Sequence, residues 1–321
     1  MANKACAIDV HHHYVPNSLL EEARKSGKHL GVELVEKDGQ KSLAFAGGPP
    51  FVLHPELPAV DERLKMMADS ELAMAAVEAH TATLGYRLTG EQGENWCNVY
   101  NDGIAELVKR YPDRFVGMAS VPLQDPARAA KVLERAVRDL NFRGGYIGTN
   151  VNGNYYGTEE FDPFWAKAQE LDVMVVMHPE DVAGADKMNP YGLKLICGNP
   201  ADSALCFGFM TYSGVFDRFP NLKLCILHGG GFFPYHLGGF DQGWQVRAGV
   251  HCGSVMAGIV GRERYQFDIW GDTVNVASRL TSAASPQSVA LTEAQGAKLQ
   301  GLSVSPRGAV ELKGKGAVPL V

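Results

Sequence analysis

Residues 8–16, IDVHHHYVP, carry three consecutive histidines behind an apolar–Asp–apolar lead-in. A purification tag usually has six histidines and no such lead-in. On a β-strand successive side chains point to opposite faces, so His11 and His13 share one face and His12 takes the other. Two imidazoles at one strand end can serve one divalent ion, and neutral imidazole is the commonest transition-metal ligand. The stretch therefore predicts a strand with an H-x-H metal-binding pair at its C-terminal end.

Working outward, short apolar runs recur between longer helical patterns. They are CAIDV (6–10), MAAVEAH (74–80), FVGMASV (115–121), GGYIGT (144–149), VMVVMH (173–178) and LKLCILH (222–228). Between them lie amphipathic stretches such as ENWCNVYNDGIAELVKRYP (94–112) and PARAAKVLERAVRDL (126–140). In the second of these, Ala129, Val132, Leu133, Ala136 and Leu140 approximate one helical face. Continuous apolar strands alternating with helices predict an α/β fold with a parallel sheet covered by helices. Several runs end in polar residues: His11 and His13, His80, Thr149, His178 and His228. Chemistry gathered at the C-terminal ends of successive strands is the habit of a (β/α) barrel. Six such strands precede residue 246, where a closed barrel needs eight.

Composition narrows the function. Of 321 residues, 45% are hydrophobic and 21% charged, as in a soluble globular protein. A net charge of −6 argues against a nucleic-acid binder. No apolar run approaches the roughly 18 residues of a membrane span, and the start MANKACAIDV is a poor signal peptide. The six cysteines are scattered without a C-x-x-C pair, which suggests reduced thiols and a cytoplasmic location. The charge is uneven: residues 248–321 hold seven Lys/Arg against five Asp/Glu, leaving 23 against 31 before them. The shift from −8 to +2 coincides with a change of texture after Arg247. There, glycines and short β-like runs surround one helical segment, GDTVNVASRLTSAA.

A lone histidine at a strand end is most often a polar cap. Four of them, at three strand ends of one barrel pattern, favour a site. Zinc sites often combine three protein ligands with a water. Gly229, Gly230 and Gly231, which follow His228, suit either a tight turn or a close backbone approach by a substrate.

The segments IDVHHHYVP, VMHPED and LKLCILHGGGFFPYHLGGFDQGW together resemble the amidohydrolase-related superfamily. The branch most similar is that of aminocarboxymuconate semialdehyde decarboxylase and related metal-dependent decarboxylases, over about residues 5–246. The resemblance implies that His11, His13 and His178 bind zinc or a similar divalent ion. It implies that His228 acts on the metal-bound water or the substrate, a small carboxylate. A metal lowers the pKa of its water and polarises oxygen, and a neighbouring histidine can shuttle the proton. The family's last ligand is an Asp at the end of strand eight. The pattern here stops near Trp244, before strands seven and eight, and no Asp of this chain matches that role.

From Val246 the run VRAGVHCGSVMAGIVGRERYQFDIWGDTVNVASRL resembles the C-terminal part of a class III nucleotidyl cyclase catalytic domain, an α+β fragment. On that resemblance, Asn275 and Arg279 steady the ribose and the phosphate of ATP, and four-residue spacing puts them on one helix face. Asp268 reads the adenine amino group, and Lys313 reaches the terminal phosphates, with Lys315 as a rival. Taken singly, these residues are an ordinary cap, a surface charge and a turn residue. The two aspartates that hold magnesium in that family have no counterpart in residues 1–246.

The two resemblances meet at Val246–Arg247 without a polar linker. The expected organisation is a truncated metal-dependent barrel over 1–246 and a cyclase-like fragment over 247–321. The leading expected function is a metal-dependent decarboxylase or hydrolase acting on a small carboxylate. The alternatives are an adenylate cyclase module using ATP and magnesium, whose site a partner with intact aspartates would complete, and a chimeric product without activity; a homodimer is among the expected assemblies.

Overall fold

The computed structural model describes residues 7–46, 48, 50–57, 59–188, 190–234, 247–251, 256–260, 266–270, 272–285, 288–299 and 304–321. The chain divides into two compact units, Met1–Tyr235 and His236–Val321.

The first unit is built on repeated strand–helix pairs. Its strands are β1 (Ala7–His13), β2 (Val32–Lys37), β3 (Gln40–Phe45), β4 (Phe51–Val52), β5 (Leu72–Glu78), β6 (Phe115–Ser120), β7 (Gly144–Gly148), β8 (Met174–His178) and β9 (Lys223–Ile226). Its helices are α1 (Asn17–Leu30), α2 (Val60–Asp69), α3 (Gly90–Arg110), α4 (Pro126–Arg138), α5 (Asp162–Glu170), α6 (Asn199–Tyr212) and α7 (Val215–Arg218). Six strands form one parallel sheet in the order β1-β5-β6-β7-β8-β9. All six apolar runs read from the sequence are in it. The sheet curls as part of a (β/α) barrel, and the polar residues that end its strands gather at its C-terminal edge.

Local chemistry sets the helix boundaries. Thr89 and Gln92 form a reciprocal capping box at the start of α3, whose last turn carries Lys109 and Arg110 against the helix dipole. Asp125 caps α4 by accepting from Arg128 N, and Pro126 occupies the first turn, where a missing N–H does no harm. The α4 face read from the sequence is buried at Ala129, Val132, Leu133 and Ala136, with Leu140 partly covered. Trp96, Tyr100, Phe115, Phe142, Phe164 and Trp165 fill the space between helices and sheet.

One element was not anticipated. β2, β3 and β4 form a separate antiparallel sheet, so nine strands precede residue 246 among the described residues. Asp38 (φ 51) and Gly39 (φ 76) make the turn between β2 and β3, the left-handed pair that suits the twist of a hairpin.

The second unit contains β10 (Arg247–Gly249), β11 (Met256–Val260), β12 (Gln266–Trp270), α8 (Asp272–Ala283), β13 (Ser288–Ala290), α9 (Glu293–Gly296), β14 (Gly308–Leu312) and β15 (Gly316–Leu320). β11 and β12 pair antiparallel, as do β14 and β15, while β10 and β13 pair in parallel. Val276, Leu280, Ala290, Leu312 and Leu320 make its small core. Among the described residues, no helix is long and apolar enough to cross a membrane.

Candidate metal centre

The histidines of the opening stretch end β1, and His178 ends β8. His228 follows β9 in a short turn with φ 55, and Gly229, Gly230 and Gly231 continue it with positive φ. At Gly231 the turn needs glycine for two reasons. Its φ is 63, and a Cβ would sit 2.1 Å from the Pro200 carbonyl oxygen. Both readings of the glycine run began from this turn, and this close approach is to the protein's own backbone.

These elements bring four imidazoles together. Ring centroids are 4.4 Å apart for His11 and His13, 5.0 Å for His11 and His178, 5.5 Å for His13 and His178, and 4.7 Å for His178 and His228. His12 lies elsewhere, its Nδ1 2.8 Å from Asp9 Oδ2 and its ring near Phe115. Two sets of potential ligand atoms lie within 4.8 Å of one another: His11, His178 and His228, and His11, His13 and Glu78. The expected trio of His11, His13 and His178 is thus split between two sets that share His11.

The outer ring nitrogens are anchored. His13 Nδ1 donates to the Ala79 carbonyl at 2.9 Å, and His178 Nδ1 donates to the Pro179 carbonyl at 2.7 Å. His11 Nδ1 bonds the carboxylate of Glu78, which stands opposite His13 in the β1–β5 register and is fully buried. An Nδ1–H spent in this way leaves the lone pair on Nε2, the tautomer that a metal requires. His178 Nε2 is then an acceptor, so its 3.0 Å partner, His228 Nε2, carries the proton.

Burial sets the charge state. It pushes the His13 and His178 imidazoles well below their ordinary pKa, and neighbouring histidines add to the effect. His228 is at the exposed rim, yet the desolvation of its ring and the nearby His11 lower it to about 4. Burial raises the Glu78 carboxyl, against the opposing pull of His11. Near neutral pH His13, His178 and His228 are therefore neutral imidazoles. Two buried atoms, His11 Nε2 and Glu78 Oε2, have no hydrogen-bond partner among the described residues. Neutral anchored imidazoles, an orphaned ring nitrogen and an orphaned carboxylate oxygen fit a divalent cation.

The surroundings hold the site in shape. Asp202 of α6 accepts from Thr149 Oγ1, Tyr155 OH, Asn150 Nδ2 and Ala183 N. Thr149, one of the polar strand ends, thus ties the loop after β7 to the loop after β8 and to α6. Phe51 of β4 stacks on His80, with centroids 4.5 Å apart, and His80 lies 4.9 Å from His13. The unanticipated sheet therefore contributes an aromatic wall.

Sequence reasoning passed over Glu78, although the run MAAVEAH was in view. Glu78 and His80, two apart at a strand end, share the face of the site, and that spacing was the available signal.

The second set of candidate residues lies in the second unit. Asn275 and Arg279 are on α8, and Lys313 begins the turn between β14 and β15. That turn adjoins α8: a Cβ at Gly314 would lie 3.8 Å from Arg279 Nη1, and Lys315 Nζ is 2.6 Å from Asp272 Oδ2. Asp268 is on β12, opposite Gly258, and its side chain lies outside the described residues.

A curled parallel sheet with a histidine cluster at its C-terminal edge is the layout of a (β/α)-barrel enzyme. The chain belongs to the amidohydrolase family, whose profile matches residues 8–286. It is 29% identical over 245 residues to the 2-amino-3-carboxymuconate-6-semialdehyde decarboxylase of Dictyostelium discoideum, covering 76% of this chain and 68% of that protein. It is 33% identical over 152 residues to the gamma-resorcylate decarboxylase of Rhizobium radiobacter, covering 44% of this chain and 46% of that one. The chain thus spans from under half to about two thirds of the length of these relatives. Among solved structures, it is similar to the 5-carboxyvanillate decarboxylase of Sphingomonas paucimobilis, with a TM-score of 0.61 and 24% identity over 74% of this chain and 71% of that one. A dihydroxybenzoic acid decarboxylase from a Polaromonas species, solved with manganese and 2-nitroresorcinol, gives a TM-score of 0.55 and 24% identity over 72% and 67% of the two chains.

The family match runs to residue 286, past the boundary expected at 246. The comparisons give no support to a cyclase fragment, to ATP or to a homodimer.

Proposed function

We propose that the chain is a metal-dependent decarboxylase acting on a small unsaturated or aromatic carboxylate, with His11, His13 and His178 as metal ligands and zinc or manganese as the ion. What supports this most is the orientation of the three imidazoles, each with Nδ1 on an oxygen and its Nε2 lone pair turned away from that bond. A divalent ion bound there acts as a Lewis acid on the substrate's oxygens.

The chain's own groups do the rest. Glu78 holds the His11 ring and offers the site a carboxylate oxygen. Decarboxylation breaks the bond to the carboxylate carbon, leaves its electron pair on the substrate carbon, and releases carbon dioxide. That carbon must then take a proton. His228 holds one at Nε2, facing the cluster. If His178 gives its lone pair to an ion, this proton loses its acceptor and points to whatever occupies the site. Phe51 and His80 form an apolar and aromatic wall suited to a planar substrate.

The test uses the purified chain loaded with manganese or zinc. Metal is measured after gel filtration, and carbon dioxide release is followed from 2,6-dihydroxybenzoate, 5-carboxyvanillate and aminocarboxymuconate semialdehyde. Stoichiometric metal, and release that His228→Asn removes, are the expected results. Metal-free protein with no release from any of the three acids contradicts the reading.

A second reading concerns residues 247–321, where Asn275 and Arg279 lie one turn apart on α8 and beside the β14–β15 turn that holds Lys313. Such a basic surface suits a triphosphate, with Asp268 reading adenine. Because residues 1–246 offer no counterpart of the two magnesium-holding aspartates, we expect no cyclic AMP from the purified chain. A magnesium-dependent cyclic AMP signal lost in Asn275→Ala favours this second reading.

A further inference from the structure

Tyr146 stands in the middle of β7 with its side chain fully buried. Its hydroxyl has no hydrogen-bond partner among the described residues. A phenylalanine of the same shape would fill the space without leaving a buried donor unmade, and such an orphan calls for an explanation.

The place of the ring supplies one. In the β7–β8 register Tyr146 pairs with Val176, and Gly148 pairs with His178. Residues two apart on a strand share a face, so Tyr146 and His178 look to the same side of the sheet. The Tyr146 ring centroid is 6.0 Å from that of His13 and 6.2 Å from that of His178. The phenol therefore lies against the histidine cluster, on the inner face of the curled sheet.

The hydrogen-bonding inventory of the site points to the class of ligand. The Nδ1–H groups of His11, His13 and His178 are spent on Glu78, Ala79 and Pro179. A carboxylate accepts up to four hydrogen bonds and donates none. An acid seated here needs donors from other residues, and a buried phenol with an unspent O–H is one. Burial, with Glu78 and Glu180 nearby, pushes its pKa well above the ordinary value, so the group remains a donor across the working pH range.

We infer that Tyr146 contacts the substrate, donating a hydrogen bond from its hydroxyl to a carboxylate oxygen of an acid held at the histidine cluster. This rests on the decarboxylase reading.

The test compares the manganese-loaded wild-type chain with Tyr146→Phe. Binding of 2,6-dihydroxybenzoate is measured by calorimetry, together with manganese content and melting temperature. Loss of one hydrogen bond to a charged group should weaken binding about 10- to 100-fold, with manganese content unchanged and the melting temperature equal or higher. Equal binding by the two chains overturns the proposal and leaves the decarboxylase reading standing. A melting temperature that falls in the variant overturns it too, because the hydroxyl then has a structural partner. A wild-type chain that holds manganese and binds no acid removes the decarboxylase reading, and the proposal falls with it.

Discussion

Replacing Glu78 by Gln separates what this residue does for the site from what it does for the fold. Gln keeps the volume and an oxygen for the His11 Nδ1–H, and it removes a charge. Glu78 is fully buried, and burial raises its carboxyl pKa in the folded chain. A raised acid pKa means that the folded state holds the proton more tightly than the unfolded state. The stability linked to the group is present below the unfolded value, near 4.5, and is lost as pH rises through the folded one. In metal-free protein the ionised form of this carboxylate is therefore a burden, with Oε2 unpartnered. Gln leaves an unpaired amide N–H where Glu leaves an unpaired carboxylate oxygen, and the charged group costs more by about 2 kcal/mol, which in a unit of this size corresponds to about 4–8 °C in melting temperature. Glu78→Gln should gain about that much after EDTA treatment, and the gain should shrink as pH falls. The same change removes the carboxylate that orients His11, so affinity for zinc should fall about 10- to 100-fold. Differential scanning fluorimetry and competition with a zinc chelator read the two effects. A lower melting temperature with unchanged zinc affinity would refute the reasoning.

His228→Asn should lower kcat about 10²- to 10⁴-fold, as expected for loss of a proton-transfer group, and leave metal content intact; elemental analysis and a carbon dioxide assay check this. His178→Ala should abolish stoichiometric zinc after gel filtration, and unchanged content would take His178 out of the site. Acid should unfold the metal-free chain early. His178 is held neutral in the fold but protonates near 6.5 once unfolded, so below that pH stability should fall by about 1.4 kcal/mol per pH unit from this residue alone, as urea titrations at pH 7 and pH 5 would show. Gly231→Ala must place a Cβ 2.1 Å from the Pro200 oxygen at φ 63, and should cost at least about 1–3 kcal/mol in the same titrations.

Much of this architecture is legible in the sequence because buried parallel strands must be apolar along their whole length. The six runs that read that way are the six strands of the sheet. The H-x-H pair at the end of β1 and the histidines ending β8 and preceding the glycine run were legible for a related reason, since a polar residue closing an apolar run stands out. The β2–β3 hairpin was missed because its strands, VELVEK and QKSLAF, are half exposed and interrupted by polar residues. The Asp38–Gly39 turn was its one clear signal. Glu78 and Tyr146 were hidden for the opposite reason. Tyr146 sits inside a strand and Glu78 ends one; apolar neighbours define both runs, and the cross-strand register that gives Tyr146 its place has no local pattern. The limit of the barrel-like part is expected at residue 246 because the two resemblances meet there, while the family match continues to residue 286.

The central claim is that His11, His13 and His178 bind one divalent ion through Nε2. X-ray absorption at the zinc edge of the loaded full-length chain tests it most directly. The account predicts nitrogen and oxygen neighbours at about 2.0–2.1 Å, with the outer-shell scattering of three imidazoles. A first shell of water oxygens without imidazole scattering, or sulfur at about 2.3 Å, would contradict it.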